Sequence, residues 1–194
     1  MRVYLAGASG VIGIRLVPLL VSAGHTVGAM TRSAEKADRL AAMGAQPIVC
    51  DVFDRDALAT AVRTFSPDAV LHELTDLPDD EDKLPDAVLL NARIRVEGTR
   101  NLLDAVQNWE RTKIVAQSIA WPSAPGPGAD SVASLEKDVL AVNGVVLRYG
   151  RFYGPGTYYE GDPPEAPRVH IDTAAVRTLD ALYARPGILT VVDR

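Results

Sequence analysis

Gly7, Gly10 and Gly13 follow the short apolar run Val3 to Ala6 at intervals of three residues. The run has the composition of a buried strand. The residues after it, 11–23, space Val11, Leu16, Leu19 and Leu20 along one face of a helix. A strand that turns into a helix through three glycines leaves few folds open. Gly7 permits the tight turn off the strand, Gly10 removes a side chain where backbone must approach a pyrophosphate, and Gly13 lets the helix pack closely on the sheet. The first N–H groups of the helix have no partner within it and sit at the positive end of its dipole, which makes an anion site. This predicts a dinucleotide ligand, with Gly7, Ser9, Gly10, Val11, Ile12 and Gly13 as candidate cofactor-binding residues. A purely structural turn is the alternative.

The rest of the chain repeats the alternation. Strands are predicted at Thr26–Met30, Gln46–Cys50, Ala69–Glu73, Lys113–Ala116, Val145–Arg148 and 188–192. Helices are predicted from a Ser33 cap to Met43, from an Asp54 cap to Phe65, and over 87–107, 131–142 and 172–184. Pro18 predicts a bend or one lost hydrogen bond in the first helix. The long helix over 87–107 is expected to bury Val88, Leu89, Ala92, Val96, Leu102 and Leu103. The stretches 76–86, 121–130 and 154–167 are rich in proline, glycine or acid and read as loops. The fold expected is α/β, a Rossmann-like doubly wound parallel sheet of about seven strands with helices on both faces. The whole span 1–194 is expected to be a single domain.

Charge and composition narrow the function. With 20 Lys and Arg against 25 Asp and Glu, the net charge is −5, and no basic cluster suggests nucleic-acid binding. One cysteine, Cys50, excludes an internal disulfide, and His25, His72 and His170 lack metal-ligand spacing, so no metal is expected. No apolar stretch has membrane-spanning length, and the first residues lack a signal-peptide core. A cytoplasmic protein without membrane partners is the expectation.

The second strand ends in Thr31-Arg32-Ser33, where an acid for the adenosine ribose would otherwise stand. The planar fork of Arg32 suits a 2′-phosphate, which points to NADP in preference to NAD. An ordinary surface charge is the alternative.

Five further segments fall in one order. They are Cys50-Asp51-Val52-Phe53-Asp54, Leu71-His72-Glu73-Leu74-Thr75, Glu97-Gly98-Thr99-Arg100-Asn101-Leu102-Leu103, Leu147 to Gly156, and His170-Ile171-Asp172. With the glycine turn they resemble the short-chain dehydrogenase/reductase superfamily, and more closely its extended branch, the NAD(P)-dependent epimerase/dehydratases. The resemblance implies that Asp51 and Val52 contact the adenine, that His72 lines the cofactor, and that Ser118 matches the serine ending the fifth strand. It also implies pairing of two copies through the helices at 87–107 and 131–142.

Two departures stand out. If Glu136 matches the family glutamate, the family's Tyr-x-x-x-Lys positions are Gly128 and Val132, and its helix asparagine is Arg95. Tyr149, Tyr153, Tyr158 and Tyr159 follow the sixth strand, and Tyr153 with Ser118 forms the candidate catalytic set. The family's substrate lobe is expected to be largely absent, which leaves Trp121, Tyr158 and Tyr159 as pocket walls. Two functions compete. One is an oxidoreductase or epimerase acting on a small carbonyl or sugar-type substrate with a non-standard acid/base set. The other is a non-catalytic NADP(H)-binding sensor or partner-binding protein.

Overall fold

The computed structural model describes residues 1–75, 84–106 and 111–193. In chain order the strands are β1 (Arg2–Ala6), β2 (Thr26–Thr31), β3 (Gln46–Val49), β4 (Ala69–His72), β5 (Lys113–Ile119), β6 (Val145–Tyr149), β7 (Arg151–Tyr153), β8 (Arg168–His170) and β9 (Gly187–Val191). The helices are α1 (Gly13–Ser22), α2 (Ala37–Ala42), α3 (Arg55–Phe65), α4 (Leu84–Arg93), α5 (Thr99–Ala105), α6 (Pro127–Ala141) and α7 (Ile171–Ala181). Seven strands form one parallel sheet in the order β3-β2-β1-β4-β5-β6-β9, and β7 pairs with β8 beside it. This is the expected doubly wound architecture.

Alternation along each strand sends residues to two separate cores. Val3 and Leu5 face one core with Leu16, Val17 and Leu20 of α1 and Ala174 and Ala175 of α7. Tyr4 and Ala6 face the other, with Leu58 and Val62 of α3, Leu102 of α5, and Leu135 and Val139 of α6. Burying a leucine of this kind contributes roughly 1.5–3 kcal/mol, so both layers are held mainly by apolar burial. The chain winds outward from β1 to β3, then returns to place β4 on the other side of β1. Ala6 is in register with both Met30 and His72, so the carboxyl ends of β1, β2 and β4 come level at the point where strand order reverses. Open α/β sheets bind ligands in the crevice at that point.

Several local expectations need correction. Ser33 makes no side-chain cap; its N–H instead donates to Thr31 Oγ1, and a 3-10 turn at Ala34–Lys36 precedes α2. Helix α6 begins four residues earlier than expected, at Pro127, because proline costs nothing at a first helical position whose N–H is unpaired anyway. Helix α1, by contrast, continues through Pro18 as expected, with the proline facing solvent and one bond of the ladder lost.

Val88 and Leu89 are not buried: they are 47% and 64% exposed, and the face turned inward carries Ala87, Asn91, Ile94 and Gly98. A π-helical turn at Ile94–Gly98 joins α4 to α5 and shifts the phase of the long helix, which a constant 3.6-residue period cannot anticipate. Most of the acidic loop expected over 76–86 lies outside the described residues. No described helix is long and apolar enough to cross a membrane.

Candidate active site at the sheet switch point

The glycine turn lies where the sheet topology places a ligand. Gly7 adopts φ +94°, and a Cβ there would stand 2.5 Å from the Glu73 carbonyl oxygen, so the turn after β1 presses against the end of β4. At Gly13 a Cβ would meet the Gly7 carbonyl oxygen at 2.2 Å, which holds α1 close to the strand. Gly10 is exposed, with only the Gly7 oxygen within reach at 3.3 Å. The N–H groups of Ser9, Val11 and Ile12 have no acceptor among the described residues. Free N–H groups at a helix start beside an open glycine fit a pyrophosphate.

The other predicted cofactor residues stand at or just after the carboxyl ends of β2, β3 and β4. Ser9 Oγ lies 3.0 Å from Thr31 Oγ1, tying the turn to the end of β2, where Arg32 is exposed. Asp51 follows β3, and its Oδ1 accepts from the Phe53 N–H at 2.9 Å. The Val52 carbonyl accepts from Asn101 Nδ2 at 2.9 Å, so α5 fixes this loop. His72 is buried at the end of β4, 3.0 Å from Thr99 Oγ1. Burial, with the nearby Arg95 charge, pushes its pKa down to about 4, so it is a neutral imidazole. Arg15 of α1 holds Asp172 Oδ1 at 2.8 Å and also donates to the Val11 and Pro155 carbonyls, which fastens the turn at 154–156 beside the crevice.

Ser118 sits on β5 in register with Arg148 on β6, and both side chains reach Glu136 on α6. The Ser118 hydroxyl donates to Glu136 Oε1 at 2.6 Å. Arg148 grips the same carboxylate through Nε at 2.9 Å and Nη2 at 2.6 Å. These hydrogen bonds, Arg148 first, hold the Glu136 pKa below the ordinary carboxylate range despite burial. In the sequence this glutamate serves only as a marker for its neighbours, yet it is the centre of the cluster. Its position one turn beyond Val132 is the available signal.

The tyrosines divide. Tyr149, expected after the sixth strand and beside the cleft, is instead the last residue of β6 and lies in the core. Its hydroxyl contacts Glu73 and Thr178, and burial drives its pKa well above the usual phenol value. Period-2 alternation explains the placement: Val145, Leu147 and Tyr149 all face the core under α7. Tyr153 lies on β7 with its ring 5.2 Å from that of His170, and a hydrogen bond to Asp193 raises its pKa. Trp121 stacks under the Arg151 guanidinium at 5.1 Å, and the Tyr158 and Tyr159 rings meet edge to face at 4.9 Å. Gly128 and Val132 both lie on α6, the first with space for a Cβ 3.8 Å from Val88.

Residues 7–140 match the family model described as NAD(P)H-binding. A Streptomyces protein, 3-diazoavenalumate denitrifying reductase, is 40% identical over 195 residues, 87% of this chain and 62% of its own length. A ketoreductase of Stigmatella aurantiaca, acting on a 4-hydroxy-2-methyl-3-oxo-4-farnesyl-3,4-dihydroquinoline-1-oxide, is 41% identical over 58 residues, 30% of this chain and 17% of that protein. The chain thus spans less than two thirds of the length of these relatives. Among solved structures, Thermus thermophilus UDP-glucose 4-epimerase in complex with NAD superposes with a TM-score of 0.81 at 23% identity, over 99% of this chain and 78% of that one. The UDP-Glc/GlcNAc 4-epimerase of Campylobacter jejuni gives 0.80 at 15% identity, over 98% and 78%. At such identities the likeness is one of fold.

Proposed function

The chain belongs to the NAD(P)H-binding family, and from that premise we propose that it is a reductase of the epimerase/dehydratase branch of the short-chain dehydrogenase/reductases, acting on small aromatic electrophiles and using NADPH in preference to NADH. Gly7, Ser9, Gly10, Val11, Ile12 and Gly13 would hold the pyrophosphate, Arg32 the 2′-phosphate, Asp51 and Val52 the adenine, and His72 the far side of the nucleoside. The bound cofactor would supply a hydride equivalent.

The observation that carries the reading is the pair Gly128 and Val132. The glycine turn is kept, while the two α6 positions that match the family's phenol and ammonium when Glu136 is aligned with the family glutamate bear no ionisable group. Tyr149 cannot replace the phenol, since its hydroxyl is buried against Glu73 and Thr178. A ketone that accepts hydride becomes an alkoxide and needs an acid beside it. An aryl diazonium group does not. It is already cationic, hydride addition neutralises it, and the adduct releases N2 as the ring carbon gains hydrogen. The change is Ar–N2⁺ plus hydride giving Ar–H plus N2, with no outside proton consumed. The name of the Streptomyces relative, a denitrifying reductase of a diazo compound, supports this substrate class. Ser118 and Tyr153 would orient such a substrate.

The test is incubation with NADPH and 2-diazophenol, following phenol by chromatography and NADPH by its near-ultraviolet absorbance, with a protein-free control and acetophenone as comparison. Protein-dependent phenol formation with little ketone turnover supports the reading. Saturable NADPH binding without turnover of either compound would instead favour a non-catalytic NADP(H) sensor, which the same missing acids also suit.

A further inference from the structure

The Ser118 proton has only one place to go. Glu136 is ionised, because Arg148 bonds both its oxygens, and a carboxylate can only accept. The 2.6 Å bond therefore takes the hydroxyl proton of Ser118. No described residue donates to Ser118 Oγ in return, so its oxygen keeps its lone pairs available at the carboxyl end of β5. The arrangement is built and stiff. Ser118 and Arg148 are register partners on neighbouring strands, Glu136 approaches both from α6, and Ser118 and Glu136 are only 6% and 8% exposed.

We propose that Glu136, clamped by Arg148, is a positioning residue that makes Ser118 an obligate hydrogen-bond acceptor, so that the site selects aromatic ligands carrying an O–H or N–H donor over ligands offering only a carbonyl or ether oxygen. The proposal rests on the reductase reading above for the identity of the site, and it adds the polarity of its recognition. A serine free to donate would favour a ketone oxygen. One whose proton is taken favours a phenol or an amine beside the reacting group.

Glu136→Gln tests this directly. In the orientation that places its NH2 group where Oε1 stood, the introduced amide donates to Ser118 Oγ, its carbonyl accepts from Arg148 Nη2 alone, and the serine proton is free to point outward. Phenol and anisole are matched probes, one with a donor and one without. Their affinities are measured by ligand-observed NMR on the full chain, with and without NADP⁺. A net hydrogen bond of ordinary strength corresponds to roughly five- to tenfold in affinity. The unmodified protein should therefore prefer phenol by about fivefold, and Glu136→Gln should erase or reverse that ratio. Preference for anisole in the unmodified protein overturns the proposal without any variant, and so does an unchanged ratio in a folded Glu136→Gln protein. Calorimetry with NADP⁺ alone is read separately. Absence of cofactor binding with the phenol preference intact would sink the reductase reading while leaving the polarity of Ser118 standing.

Discussion

Tyr149 Oη lies 3.2 Å from Glu73 Oε1, so the last residue of β6 reaches the carboxyl end of β4 across the intervening strand β5. The same phenol oxygen is 2.6 Å from Thr178 Oγ1, and the Thr178 hydroxyl donates to the Ala174 carbonyl at 2.7 Å. The Tyr149 hydroxyl donates to Glu73 Oε1, a bond that by itself favours the charged carboxylate. Burial outweighs that bond and pushes the Glu73 pKa up to about 8, and the second oxygen has no partner among the described residues.

A pH dependence of stability follows, with the sign set by two buried groups. Glu73 rises from an ordinary 4.5 to about 8 on folding, so its contribution is full below about 4.5 and is lost as pH climbs to 8. His72 falls from 6.5 to about 4, so its contribution is lost as pH drops from 6.5 toward 4. Between about 4.5 and 6.5 the two slopes oppose each other. Above about 6.5 only the glutamate acts, and stability should fall by roughly 2 kcal/mol by about pH 8. Urea unfolding at several pH values across that range measures it. Glu73→Gln should flatten the upper limb, and a variant that keeps the decline would place its origin elsewhere.

Gly10 and Gly13 should respond differently to substitution, in keeping with their separate roles in the turn. Gly10 is exposed, with no contact under 3.3 Å to an added Cβ, so Gly10→Val should fold normally yet lose the cofactor-induced rise in Tm. That rise reflects roughly 2.7 kcal/mol at about a hundredfold excess of NADPH over Kd. At Gly13 a Cβ would strike backbone at 2.2 Å, so Gly13→Ala should lower Tm even without ligand. Differential scanning fluorimetry of both variants, with and without NADPH, separates the two roles. A normal ligand shift in Gly10→Val would remove the turn from the binding site.

Much of this is legible in the sequence. The glycine triplet, the strand–helix alternation and the Asp54 cap, whose Oδ1 accepts from the Ala57 N–H at 3.1 Å, are local signals with local causes. What the sequence hides depends on tertiary context. Val88 and Leu89 look like core residues by hydropathy, but the π turn after α4 decides which face points inward. Tyr149 looks like a cleft phenol by position, but strand alternation turns it under α7. Glu73 and Glu136 carry no signal as functional acids, because a lone glutamate in a sequence is usually a solvated charge. Only packing shows that one is buried beside a phenol and the other joins Ser118 to Arg148.

Arg32 should distinguish the two nicotinamide cofactors. It is exposed at the end of β2, beside the Ser9–Thr31 contact that anchors the glycine turn. A charge-assisted fork to a 2′-phosphate is worth roughly 1.5–3 kcal/mol. Arg32→Ala should therefore weaken NADPH about tenfold or more and leave NADH nearly unchanged. Equal calorimetric affinities for both cofactors in the unmodified protein would reduce Arg32 to a surface charge.

The Arg148–Glu136 pair should behave as a coupled unit. Arg148 is 41% exposed along its side chain and Glu136 only 10%, so the burial cost falls mostly on the carboxylate. Removing the guanidinium leaves that carboxylate with Ser118 as its remaining partner among the described residues. Arg148→Met should then cost about 2 kcal/mol, less than the full penalty of a fully buried broken pair because the arginine is partly solvated. Replacing both, as Arg148→Met with Glu136→Leu, removes the stranded charge and should recover part of the loss. Urea unfolding of the two single variants and the double variant gives the coupling energy directly. Additive losses would mean that the fork contributes nothing beyond its separate side chains.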